Sequence, residues 1–158
     1  MTMKALIQAI QTDLKNAATL SVVTDSNIFI TPDEDIIPMT ATFPAIGLKD
    51  GAIQMEMTAT AAGTTKLWDI RYQVHVIIYV DWTDGETPIV GQTTPSIKGV
   101  LDLNDLIRTV LHEDYQSIAG ILDAFCIGEG ESEPLPFGED MVVQKKRMTF
   151  EYYAQEVL

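Results

Sequence analysis

The run LWDIRYQVHVIIYVDW, residues 67–82, constrains the fold more than any other stretch of the chain. Trp68, Ile70, Tyr72, Val74, Val76, Ile78, Val80 and Trp82 fall on one side of an extended backbone. Asp69, Arg71, Gln73, His75, Ile77, Tyr79 and Asp81 fall on the other. Alternation with a period of two marks a strand with one face on a core and the other at least half wet. Near Ile77 and Tyr79 both sides turn apolar, which predicts cover on both faces there. Typical strands have about 5–6 residues. A strand of about fifteen residues at about 3.3 Å each spans roughly 50 Å. A compact chain of 158 residues has a radius of gyration near 15 Å and a diameter of about 40 Å. Such a strand either bends at a bulge or leaves its own core at one end and meets another subunit.

The remaining elements arrange themselves around this strand. Met3, Leu6, Ile7, Ile10 and Leu14 form one stripe at helical spacing, with Thr2 ahead of them as a cap, predicting a helix over 3–16. Ile28, Phe29 and Ile30 predict a short strand or extended segment. Pro32, Pro38 and Pro44 then exclude helix and central strand, so ITPDEDIIP reads as an extended surface loop. In AIGLKDGAIQMEMTA the dipeptide Asp50-Gly51 predicts a hairpin turn, and Ile53, Met55 and Met57 alternate with polar residues. IKGVLDLNDLIRTVLHED predicts a second helix over 97–112, and SIAGILDAFCIG a strand or irregular core segment. GEGESEPLPFGED reads as an exposed acidic loop. VVQKKRMTFEYYA predicts a last strand, paired with the long one. The sum is a single α+β domain over 1–158. Its antiparallel or mixed sheet has about four strands with helices packed on one face. Residues 31–42, 59–66 and 128–140, rich in Pro, Gly, small and acidic residues, are expected to be mobile loops in an isolated subunit.

Charge narrows the function classes. Twenty-three acids against ten bases give a formal net charge of −13. That argues against stable nucleic-acid binding and against attraction to an anionic membrane. No apolar run reaches the length of a membrane span, and MTMKALIQAIQTDLK is too interrupted by polar residues for a secretory signal. The one cysteine, Cys126, excludes an internal disulfide, fits a reducing cytosol and reads as core packing.

The sequence holds little chemistry. His75 and His112 have no spaced ligand partners for zinc. There is no phosphate-cradling glycine loop, nucleophile elbow or metalloprotease helix motif. His112 near a helix C-terminus is explained by the helix dipole. The expectation is no enzyme, with no catalytic residue, cofactor or metal. Glu129, Glu131, Glu133, Asp33, Glu34 and Asp35 are the candidates for an acidic docking surface; EGESE lacks the ligand spacing of a calcium-binding loop. Lys145, Lys146 and Arg147 form the one basic cluster, placed either against acidic neighbours in the same or another subunit, or as charges guarding an edge strand.

The order of these pieces carries a resemblance. A short amphipathic helix is followed by ITPDEDIIP and FPAIGLKDG, then the long strand RYQVHVIIYV, the helix LDLNDLIRTVLHED and the terminal strand RMTFEYYA. This arrangement resembles the tail-terminator (tail-completion) proteins of long-tailed bacteriophages. The resemblance implies a structural virion protein that caps the head-proximal end of the tail tube as a ring, usually a hexamer. It would end tube polymerisation and offer the surface that joins neck or head. The implied partners are further copies of itself, the tail tube protein and a neck or head-completion protein. DNA would pass through the lumen without being held, and the implied location is the virion, with assembly in the host cytoplasm. The alternatives are a head-to-tail connector or neck protein of the same ring-forming type, and a small cytosolic enzyme of unknown activity.

Overall fold

The computed structural model describes residues 1–60, 66–82, 85–113 and 117–157. Its spine is a pair of long antiparallel strands, β3 (Lys66–Asp81) and β6 (Met141–Val157), in unbroken register from Leu67 opposite Val157 to Asp81 opposite Val143. β2 (Ala45–Thr60) lies antiparallel to β3 on its other side, and β1 (Ile28–Ile30) adds in parallel to β2 at Ile46–Leu48 only. Beyond β6 lie β4 (Ile121–Glu129) and β5 (Glu133–Phe137), end to end along the same side of that strand. The sheet is therefore mixed and six-stranded, ordered β1-β2-β3-β6-β4 with β5 also on β6. The α+β class is as expected. The sheet has six strands where about four were expected, and proline-containing β5 lies in a stretch read as loop.

Helix α1 (Met3–Asn16) forms where the apolar stripe predicts it and buries Leu6, Ile7, Ile10 and Leu14. Thr2 caps it, its Oγ1 accepting from the Ala5 amide at 3.2 Å. An N-cap oxygen satisfies one of the amides that the first turn leaves without a partner. Thr2→Ala is therefore expected to lose about 1 kcal/mol, read as a lower denaturant midpoint at unchanged slope. After the short α2 (Thr87–Val90), helix α3 (Val100–Leu111) begins three residues later than its sequence pattern suggested. Gly99 ends the linker there, its amide donating to Asp102 Oδ2 at 3.2 Å.

Both long helices cover one sheet face. Leu6, Ile10, Leu14, Leu103, Ile107 and Leu111 pack with Val74, Val76, Ile78, Phe150 and Tyr152. The other face is open except at one end, where a second cluster forms from Phe29, Ile37, Ala45, Ile77, Tyr79 and Val143, with Phe43, Leu135 and Phe137 against it. The expected two-sided cover at Ile77 and Tyr79 is this cluster.

Two local readings differ from the structure. Asp50-Gly51 is not a turn: both flanking runs belong to β2 and pair with β3, and the register shifts between Asp50 and Ile53 as at a bulge. Glycine is needed there because a Cβ would sit 2.8 Å from the Gln73 carbonyl oxygen. The acidic stretch 128–140 is not all loop, since Glu133–Phe137 forms β5. Its prolines are tolerated because β5 borders the sheet on one side. The proline segment 31–44 is a strap across the second cluster. Tyr79 Oη donates to the Glu34 carbonyl at 2.6 Å, and Thr31 Oγ1 to the carbonyls of Asp33 and Ile36 at 2.6 and 2.8 Å. Residues 61–65, within the expected mobile loop 59–66, lie outside the described residues.

Candidate partner-binding surface

The charged residues singled out in the sequence fall into two groups. Glu34, Glu131, Glu133, Lys145 and Arg147 line one shallow depression, where the strap and β5 meet β6. Lys145 is its centre. Its side chain is only 6% exposed, and Nζ lies 2.7 Å from Asp35 Oδ1, 2.8 Å from Glu133 Oε1 and 3.6 Å from Glu34 Oε1. Burial alone would lower the pKa of this ammonium. The hydrogen bonds it donates to Asp35 and Glu133, with the charge of Glu34, outweigh it, and the net shift is upward. Arg147 adds a contact to Glu34 at 3.4 Å. Asp33 shapes the strap, its Oδ1 accepting from the Asp35 amide at 2.9 Å.

The other two residues point elsewhere. Lys146 faces the helix side and donates to the Gly130 carbonyl at 2.7 Å. Glu129 joins α3, with Oε1 taking Arg108 and Oε2 accepting from Asn104 at 3.1 Å. Burial opposes ionisation of Glu129, but Arg108 and Asn104 prevail and hold its carboxyl below the usual value. β6 lies between β3 and β4–β5, so the basic cluster does not guard an edge. Its counter-charges come from the same chain.

A surface that the sequence concealed lies at the other end of the β2–β3 pair. There β2 outruns the helix layer, while Ile70 and Tyr72 of β3 stay buried beneath it. Ile53, Met55 and Met57, opposite Tyr72, Ile70 and Trp68, turn toward the helix side yet remain 49%, 50% and 50% exposed. Past Leu48, the outer edge of β2 has no strand partner among the described residues. Exposed Leu122, Phe125 and Ile127 mark the opposite border, on β4. The alternation of Ile53, Met55 and Met57 was legible. Where the helices stop covering it was not.

The remaining reactive groups are tied into the scaffold. His75 Nδ1 lies 3.0 Å from Thr149 Oγ1, and burial, assisted by Arg147 and Lys49, pushes its pKa down. His112 Nδ1 accepts from the Cys126 amide at 3.1 Å, and burial raises the Cys126 thiol. Among the described residues no three His, Cys, Asp or Glu side chains are grouped to hold a metal, and no helix is long and apolar enough to cross a membrane.

By sequence, no family model and no curated protein matches the chain. By structure, it is similar to a chain of the virion of the native gene transfer agent (GTA) particle. The TM-score is 0.50 at 9% identity, over 97% of this chain and 96% of that one. The two share a fold from end to end.

Proposed function

We propose that the chain is a structural virion protein of the tail-terminator type. It closes as a ring, six copies by the resemblance, on the head-proximal end of a phage tail tube. There it ends tube polymerisation and presents the joining surface to a neck or head-completion protein. The observation that carries this reading is the unfinished sheet: a long β2 that leaves the helix cover with an apolar stripe and, among the described residues, an unpaired edge. A free edge with exposed apolar side chains is a pairing surface that a monomer ordinarily blunts. A second exposed apolar border on β4 would let the contact be heterologous, and heterologous contacts that close produce rings. The fold shared with a chain of a virion particle supports the setting.

The mechanism needs no catalysis. The ring would copy enough of the tube interface to bind its end and lack the surface for another layer. Lys145 and Arg147 meet acids of their own chain, so the net charge of −13 leaves no basic track for phosphate. DNA would pass through a lumen lined mainly by Asp and Glu without being held. The test adds the purified protein to polymerising tail tube protein. The expected result is shorter tubes with a ring at one end by negative-stain imaging, and Met55→Glu with Met57→Glu prevents ring formation. Unchanged tube length, or rings on neck components but never on tubes, would reject the terminator role.

A further inference from the structure

We propose that the cleft between the end of β3 and the α2–α3 linker receives an arginine side chain of a partner protein. Val22, Phe43, Pro44, Val80, Pro88 and Ile97 wall a space of about 270 Å³, and Asp81 lines it. One oxygen of that carboxylate, Oδ1, is buried and accepts no hydrogen bond among the described residues. Burial raises the Asp81 pKa. Lys98 also lines the cleft but makes no ion pair with Asp81 within 4.0 Å.

A buried acceptor without a donor is unfavourable beyond the loss of one hydrogen bond, because its hydration has been removed and nothing replaces it. The fold does not require this one. Asp81 continues the β3 backbone opposite Val143, which any strand-forming residue could do. A donor arriving from outside removes the penalty once the carboxylate turns, because Oδ1 is closed off from the open cleft as it stands. The shape of the cleft specifies that donor. Its walls are mostly apolar, with Thr87, Ser96 and Lys98 as the other polar lining residues, so the arriving group must be apolar along most of its length and cationic at its tip. Ligand pockets commonly run to about 300–1,000 Å³, and this cleft is just below that range, suited to one side chain rather than a cofactor. An arginine fits: its methylene stem lies along apolar walls, and its planar guanidinium donates to a carboxylate. Lysine offers the same stem but a more strongly hydrated point charge. Val22 and Ile97, 43% and 39% exposed, extend the apolar surface to the mouth, where the partner's main chain would lie. The strong negative charge of the chain favours a basic segment as it approaches. The inference is independent of the ring and concerns a different part of the molecule.

The experiment follows the methyl resonances of Val22, Val80 and Ile97 in the full chain. The probe is the capped peptide N-acetyl-Gly-Arg-Gly-amide, compared with its citrulline and norleucine counterparts. The expected result is saturable shifts at these methyls with the arginine peptide, with affinity at least about tenfold above citrulline, a difference of about 1.4 kcal/mol. Asp81→Asn should abolish that preference, and Lys98→Met should bind the arginine peptide at least as tightly as the wild type. The comparison among peptides uses the unmutated protein, so it stands even if a variant folds poorly. Absence of saturable shifts, norleucine binding as tightly as arginine, or an undiminished arginine preference in Asp81→Asn would overturn the proposal.

Discussion

Gly91→Ala is expected to remove about 3–4 kcal/mol of stability, because it combines overpacking, typically about 1–3 kcal/mol, with backbone strain of about 1–3 kcal/mol. Gly91 closes α2 at φ 74° and ψ −173°, a conformation that side chains other than hydrogen rarely allow. Space is missing as well. A Cβ there would lie 2.2 Å from Asp102 Oδ2 and 2.6 Å from the Ile97 carbonyl oxygen. Gly99 faces it across the linker, and a Cβ on Gly99 would meet the Gly91 amide nitrogen at 2.4 Å and the Ile89 carbonyl oxygen at 2.5 Å. The two backbones therefore touch directly. The paired bonds between Gln92 and Ile97, at 2.8 and 3.0 Å, hold the same linker closed.

Two companions separate the causes. Gly85 has φ 70° but no atom within 4 Å of its missing Cβ, so Gly85→Ala should cost about 1–2 kcal/mol through strain alone. Gly99 lacks a positive φ, so Gly99→Ala should cost about 2–3 kcal/mol through overpacking alone. Denaturant midpoints at constant slope give all three values. A loss under about 1 kcal/mol for Gly91→Ala, against a total stability of about 5–15 kcal/mol, would mean that the linker is not seated on α3. One wall of the cleft, from Pro88 to Lys98, depends on that seating.

What the sequence revealed was what local chemistry decides. Thr2 with its apolar stripe specifies α1, and the period-two run around Val74 specifies β3, because caps and periodicity act within a few residues. The pairing of β6 with β3 followed from two alternating runs of matching length. Asp50-Gly51 misled because the same dipeptide serves a turn or a close backbone approach. The choice was made by Gln73, which is distant in sequence. In residues 128–140 the prolines, glycines and acids obscured Leu135 and Phe137, which are apolar contacts only because Phe43 and Val143 arrive from elsewhere. The cluster Lys145–Arg147 was legible as charge, but the burial of Lys145 and Lys146 was not. That burial depends on β4 and β5 occupying the outer side of β6 and on the strap crossing above Tyr79. Asp81 read as an ordinary charge at a strand end. Its missing donor is visible only once Val22, Phe43 and Ile97 surround it.

The Lys145 clasp should respond unequally to the removal of its two sides. Removing one partner of a buried ion pair typically costs about 3–5 kcal/mol, because the other charge stays buried and uncompensated. Here the sides differ in access to water. The Lys145 side chain is 6% exposed, whereas Glu34, Asp35 and Glu133 are 29%, 59% and 61% exposed. In Lys145→Met the stem is replaced by a chain of similar volume and the three carboxylates rehydrate, so the global loss should stay near 1 kcal/mol. In Glu34→Gln with Asp35→Asn and Glu133→Gln the ammonium remains in its buried place with no counter-charge, and the loss should reach about 3 kcal/mol or more. Both variants untie the strap and β5 from β6. Amide exchange in residues 31–42 and 133–137 should therefore quicken in both, which also measures how mobile these segments are in the isolated wild-type subunit. The pH dependence has a definite sign. The folded-state pKa of Lys145 is raised, so its contribution is complete below the ordinary lysine value, about 10.4, and is lost as pH climbs through the raised one. Above neutral pH the wild type should thus lose its advantage over Lys145→Met only in strong alkali. Equal losses in the two variants, or an advantage that disappears between pH 6 and about 9, well below the lysine range, would show that this ammonium is not the anchor of the strap.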